Sequence, residues 1–194
     1  MELDRQEKIR NLVDNRQTGI IVLEDVWDPH NIQAVVRTAD GLGFGKIYLI
    51  FEKEKEFDPK VVGKASSSSA NKWVEYKIFR SSKECFEELK KDGYEIVVSV
   101  LDKQAKEASK TDLTAKKIAL VMGNEHKGVS ETAKLMADKK IYIPMKGMVE
   151  SFNISVASAL LMYEVNKQRE QSNISYGLEE EEKEVLVKKL LWQY

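Results

Sequence analysis

The 194-residue chain has one cysteine, Cys85, and two histidines, His30 and His126. A single thiol excludes a disulfide framework and a cysteine-rich metal site, and it suits a reducing cytoplasm. Two histidines give no basis for a multi-histidine centre, so no metal is expected. The opening Met-Glu-Leu-Asp-Arg-Gln-Glu-Lys lacks the apolar core of a signal peptide. No apolar run reaches the roughly 20 residues of a membrane span; Ile154–Val165 falls well short. Formal net charge is −1, so bulk charge does not announce a nucleic-acid partner.

Charge is present in blocks, however. Residues 60–83 hold Lys60, Lys64, Lys72, Lys77, Arg80 and Lys83 against Glu75 alone, six basic groups to one acid. Such a window is either a solvated face or a patch that contacts phosphates. Residues 179–184 are Glu-Glu-Glu-Glu-Lys-Glu.

Periodicity gives the organisation. Residues 4–14 predict an amphipathic helix with Ile9, Leu12 and Val13 on one side. Gly19–Glu24, Lys46–Ile50, Glu75–Phe79, Tyr94–Val100, Ile118–Met122 and Ile141–Ile143 predict strands. Helices are expected from Asp28-Pro29 to about Leu42, over Ser81–Asp92, after Ser130, and over Ile154–Arg169. Asp28 and Ser130 read as N-caps, with Pro29 at a first helical position. Asp58-Pro59 predicts a helical turn, and Ala65-Ser-Ser-Ser-Ser-Ala70 a polar loop. From Leu178 a separate helix begins, its glutamates placed to complement the helix dipole. Its Leu178, Val185, Leu186 and Leu190 face either the body or a second chain. Strands alternating with helices, several apolar throughout, predict an α/β fold with a mostly parallel sheet.

Three loops follow strand ends, where parallel-sheet proteins place their sites. They are Glu24–Asn31, Gly123-Asn-Glu-His-Lys-Gly128 and Pro144–Asn153. The third leads into Ile154–Val165, which is too uniformly apolar for a surface helix and predicts burial on nearly all sides. Glu150, Ser151 and Asn153 at its mouth read as caps or as ligand-holding groups. The glycines of the second loop predict close approach to a ligand, or a tight strand-to-helix turn. Arg37 falls opposite the stripe Ile32, Val35, Val36, Ala39 and Leu42, and periodicity alone makes it a solvated arginine. Asn31 sits at the edge of that stripe. Gly41-Leu-Gly-Phe-Gly45 is not a dinucleotide loop, because a helix precedes it and a strand follows. Ser151 lacks the flanks of a nucleophile elbow.

Taken together, Asp28-Pro-His-Asn31 with Arg37-Thr38, Met122-Gly-Asn-Glu125 with Gly128, and Ile143-Pro-Met through Gly147-Met-Val-Glu-Ser-Phe-Asn-Ile-Ser-Val-Ala-Ser-Ala159 resemble the three motifs of the SpoU branch of the SPOUT RNA ribose methyltransferases. The resemblance spans roughly residues 18–169 and is greatest to the tRNA (guanosine-2′-O)-methyltransferase group. It implies one methyltransferase domain over 1–194: an N-terminal helix (1–17), a core (18–169) and a helical tail (170–194). It also implies a C-terminal trefoil knot, a cytoplasmic homodimer, and S-adenosylmethionine as cofactor. Ser99, Val100, Leu101, Gly123, Ile143, Met145 and Phe152 would bind that cofactor. Arg37, Asn31, Glu125, Ser151 and Asn153 would be the catalytic group, with Arg37 clamping phosphate and 2′-oxygen. The substrate implied is tRNA, at guanosine 18 of the D-loop. Ribosomal RNA is the alternative, and a non-catalytic RNA-binding module the reading from another class. Lys139, Lys140 and Lys146 are expected to share RNA contact with the basic window.

Overall fold

The computed structural model describes residues 4–59, 61 and 70–193. The turn expected after Asp58-Pro59 and the serine loop fall largely outside those residues, as do Lys60 and Lys64. Helix α1 is Arg5–Asp14, β1 Gln17–Glu24, α2 Pro29–Gly41, β2 Phe44–Ile50, β3 Glu75–Phe79 and α3 Ser82–Lys91. Then come β4 Glu95–Ser99, β5 Lys106–Glu107, β6 Ile118–Met122, α4 Glu131–Met136, β7 Lys139–Tyr142, α5 Ile154–Glu170 and α6 Glu180–Gln193. The strands form one sheet in the order β3-β2-β1-β6-β4-β7-β5, and every pairing is parallel.

Burial on both faces explains the apolar strands. Successive side chains point to opposite sides. Ile21 and Leu23 of β1 therefore meet Val35 and Ala39 of α2 and Leu161 and Val165 of α5. Ile20 and Val22 meet Cys85, Phe86 and Leu89 of α3. Burial raises the Cys85 thiol well above its ordinary range, which keeps it inert. No helix among the described residues is long and apolar enough to cross a membrane.

Local chemistry sets the helix ends. Asp28 caps α2 through the His30 N–H, 2.9 Å away, and that bond holds its carboxyl below the ordinary 3.8. Ser81 caps α3 and Ser130 caps α4. Gly43, at φ +84°, turns the chain from α2 into β2, as the glycine run predicts. Any Cβ there would stand 2.7 Å from the Asn15 carbonyl oxygen.

Two elements differ from expectation. β7 begins at Lys139, because Lys139 and Lys140 pair with Val97 and Val98 while their ammonium groups meet Glu95 at the start of β4 and Asp102 beyond its end. The two-residue β5 lies in a polar segment with no alternating pattern to announce it.

A third difference concerns α5. Within this chain it is not buried all round. Ile154, Ser158, Leu161, Met162 and Val165 face the core, while Val156, Leu160 and Tyr163 form an exposed apolar stripe. At its C-terminal end Arg169 is buried, donating to the carbonyls of Thr18 and Ala115 at 2.7 Å each and to Gln17 Oε1 at 2.6 Å. Burial pushes this guanidinium down to about 10, so it stays charged at neutral pH. The tail packs on the body: Leu190 joins Ile9 and Val13 of α1, with Leu186 alongside, whereas Val185 is exposed.

Leu161 has no exposed surface. Leu161→Ala is expected to lower unfolding stability by about 2–5 kcal/mol, and Val185→Ala by less than about 0.5 kcal/mol, both read from denaturant midpoints.

Candidate active site

The carboxyl ends of β4, β6 and β7 open on a cavity of about 380 Å³, within the range of small-molecule sites. Ser99, Val100 and Leu101 come from the end of β4, and Gly123 from the end of β6. Ile143, Met145 and Phe152 come from the loop between β7 and α5. All seven residues expected around the cofactor thus line one cavity. Glu125, Glu150 and Ser151 share its wall. Apolar side chains dominate one side of the wall, with Glu125 and Glu150 balanced by Lys127 and Lys134, which suits a ligand that combines a flat apolar ring with polar groups.

A chain of hydrogen bonds ties the three loops together. Asn31 Nδ2 donates to Glu125 Oε1 at 2.8 Å. Asn153 Nδ2 donates to Asn31 Oδ1 at 3.1 Å. Glu125 also accepts the N–H groups of Trp27 at 3.0 Å and Asp28 at 3.3 Å. Burial alone would raise the Glu125 carboxyl. The bonds from Trp27, Asn31 and Asp28 outweigh it and hold the group below its ordinary 4.5. Asn153 serves both roles open to it, since its Oδ1 caps α5 through the Ser155 N–H at 2.8 Å. Ser151 lines the cavity and has no hydrogen-bond partner among the described residues.

Arg37 stands apart. It is exposed, is not part of the cavity wall, and its side chain makes no hydrogen bond or ion pair with a described residue. Six residues separate it from Asn31, which places it about 9 Å further along the helix and about 240° around it.

The glycines of the second loop serve the loop itself. A Cβ on Gly123 would lie 2.4 Å from the carbonyl carbon of Gly128 and 2.5 Å from the Val129 nitrogen. Gly128 sits at φ +68°. The tight-turn reading therefore explains both positions. Three cations of the basic window have local partners: Lys77 pairs with Glu88, Arg80 with Glu56 at 2.9 Å, and Lys83 with Glu87 at 3.7 Å. Lys139 and Lys140 likewise face Glu95 and Asp102. The exposed pairs of Arg80 and Lys83 are weak, and phosphates can displace them.

A family model described as the SpoU rRNA Methylase family matches residues 19–163. The chain belongs to this family. It is 35% identical over 193 residues to the tRNA (guanosine(18)-2′-O)-methyltransferase of Aquifex aeolicus, covering 98% of this chain and 89% of that protein. A crystal structure of the A. aeolicus TrmH/SpoU tRNA modifying enzyme superposes with a TM-score of 0.88 at 32% identity, covering 97% and 95% of the two chains. An AdoMet-bound rRNA methyltransferase from Sinorhizobium meliloti shares the fold, with a TM-score of 0.72 at 21% identity over 86% of this chain and 61% of that one.

Within this SpoU chain, sequence reasoning missed the residues that aim the loops. Asn124 is buried, donates to the Asp25 carbonyl at 2.7 Å, and accepts the N–H groups of His126 and Lys127. Glu24 Oε1 accepts the hydroxyls of Ser82 and Ser130 at 2.5 and 2.7 Å. Asp25 Oδ1 accepts the N–H groups of Glu52, Lys53 and Glu54. The available signal was an acid pair ending an otherwise apolar strand.

Because the Glu125 carboxyl is held low, its stabilising effect is complete above about pH 4.5 and fades as pH falls through the lower folded value. Glu125→Gln should therefore be less stable than wild type in denaturant titrations at pH 7, and the gap should narrow at pH 3.

Proposed function

We propose that this chain transfers a methyl group from S-adenosylmethionine to a ribose 2′-hydroxyl of tRNA, at guanosine 18, the position for which its Aquifex relative is named. The observation that carries the reading is the hydrogen-bonded line Glu125–Asn31–Asn153 at the edge of a cavity lined by all seven expected cofactor residues. A bare RNA-binding module has no need of such a cavity. The ribosomal alternative draws on the name of the S. meliloti neighbour, which is less similar than the tRNA relative.

Bound S-adenosylmethionine supplies an electrophilic methyl group on a cationic sulfur. Val100, Leu101, Ile143, Met145 and Phe152 would hold its apolar ring, with Ser99 and Gly123 alongside. The remaining task of the protein is to bring a ribose oxygen in line and to stabilise it as its proton leaves. A guanidinium is protonated at any physiological pH and makes a poor base. Arg37 is therefore cast as a planar donor to the 2′-oxygen and the neighbouring phosphate. Asn31, Glu125 and Asn153 hold α2 and α5 in register, and Ser151 adds a hydroxyl at the cavity wall.

The outward aim of Arg37 bears on assembly. α2 packs on α5, and the uncovered Val156, Leu160 and Tyr163 stripe lies on α5. The reading therefore includes a homodimer formed through that stripe, in which Arg37 serves a site completed across the interface. It also includes the trefoil knot, supported by the way β7 fills the gap between β4 and β5, strands consecutive in the chain. A cytoplasmic location is part of the same reading, supported by the buried free Cys85.

With labelled cofactor, wild type should methylate unmodified tRNA and leave ribosomal RNA unlabelled; nucleoside mapping should place the methyl at guanosine 18. Arg37→Ala should cut kcat/KM by on the order of 10²–10³-fold while calorimetry shows unchanged cofactor affinity. Transfer to ribosomal RNA alone would move the substrate, and failure to bind cofactor would end the enzyme reading.

Leu161 lies in this chain's own core, so a charge there tests folding. The interface test is Tyr163→Glu, at a position 61% exposed. Sedimentation should show a dimeric wild type and a folded monomeric variant.

A further inference from the structure

Trp27 is 65% exposed, although the two residues before it are buried, Asp25 at 7% and Val26 at 2%. Its main chain is pinned on every side. Asp25 adopts φ +50°, and its carboxylate accepts three consecutive N–H groups from residues 52–54. The Trp27 N–H donates to Glu125 Oε2 at 3.0 Å. Asp28 then caps α2. A large ring is thus held in solvent by rigid backbone, one hydrogen bond from a residue of the cavity wall.

Its ring neighbour belongs to the same wall. His126 lines the cavity, and the two ring centroids lie 6.4 Å apart at 58°. The tilt leaves most of the indole uncovered. A lone exposed aromatic needs no explanation; one fixed by its backbone beside a reaction cavity and backed by a second ring does.

We propose that Trp27, backed by His126, is the stacking platform for the base of the nucleotide whose ribose is methylated. This rests on the tRNA methyltransferase reading above. The base is attached at the carbon next to the one bearing the reacting hydroxyl. A ribose drawn to the cavity mouth therefore carries its base to within about one base-width of the cavity wall. That base loses stacking on its neighbours when it leaves the RNA stack. An uncovered indole restores a π-face without reading base identity. Trp27 is on this account a positioning residue that contributes to binding, and selection among bases lies elsewhere.

The test is steady-state methylation of an unmodified tRNA transcript by Trp27→Ala, Trp27→Phe and Trp27→Tyr. Stacking of one base predicts that Trp27→Ala raises KM for tRNA by about 5- to 150-fold, with kcat within about twofold. Phe and Tyr should restore most of the loss, and calorimetry should show unchanged cofactor affinity. On a transcript with an abasic ribose at the methylated position, wild type and Trp27→Ala should perform alike. The platform is overturned by a KM within twofold of wild type, by an equal loss in Trp27→Phe, by a loss that persists on the abasic transcript, or by a shift in sedimentation showing that Trp27 is buried between copies. Those results leave the methyltransferase reading standing, whereas a wild type that labels no RNA overturns both.

Discussion

The site depends on one carboxylate surrounded by donors. Glu125 accepts two backbone N–H groups and one side-chain amide from the stretch Trp27–Asn31. Those partners lie 94 to 98 residues earlier in the chain. Through Asn31 the link continues to Asn153, a further 122 residues on from Asn31. A carboxylate offers about four acceptor positions and no donor, so a set of N–H groups can satisfy it without a cation. Each bond favours the charged form, and together they exceed the penalty of partial burial. The loops after β1, after β6 and before α5 are thereby held in a single arrangement at the cavity edge.

The same logic recurs around it. At the carboxyl ends of the strands, helices begin, and their first N–H groups need acceptors. Glu24 accepts the N–H and hydroxyl of Ser130, the cap of α4, and the hydroxyl of Ser82 in the first turn of α3. Glu52 accepts the Ser82 N–H, and the bond holds its carboxyl below the ordinary range. Near the other end of the sheet the sign reverses. Arg169, in the last turn of α5, donates to carbonyls of β1 and of the segment before β6, with the Tyr176 ring 4.4 Å from its guanidinium. Acids near helix starts and a cation near a helix end both follow the direction of the helix dipole.

Legibility in the sequence tracked distance along the chain. The central strands β1, β4 and β6 were marked by apolar runs, because burial on both faces leaves no room for polar alternation. Caps at Asp28 and Ser130 lie within three residues of the N–H groups they serve, so local reading finds them. The cavity lining was reached through motif resemblance, since its residues come from separate strand ends. Asn124, Glu24 and Asp25 went unnoticed because their partners are distant in sequence or are plain backbone groups that no pattern marks.

Two readings changed on contact with the fold. The glycines of Gly123–Gly128 left a ligand cradle and a tight turn both open; the loop's own backbone fills the space beside Gly123, which also lines the cavity. The apolar helix Ile154–Val165 promised burial all round, yet one stripe faces outward in this chain. Both points share a cause. Composition reports that a position is small or apolar, but it does not report which neighbour takes up the space.

The chain alone therefore determined the alternation of strands and helices, the parallel character of the sheet, the helix caps and the identity of the motif residues. Each of these follows from periodicity or from contacts within a few residues. Tertiary structure alone decided that Glu125, Asn31 and Asn153 form one hydrogen-bonded line, that Arg37 lies outside the wall of the cavity, and that Trp27 stands uncovered beside it. The reason is physical: those relations rest on the order of strands in the sheet and on the rotation of α2 about its axis, and both are set by packing between segments roughly a hundred residues apart.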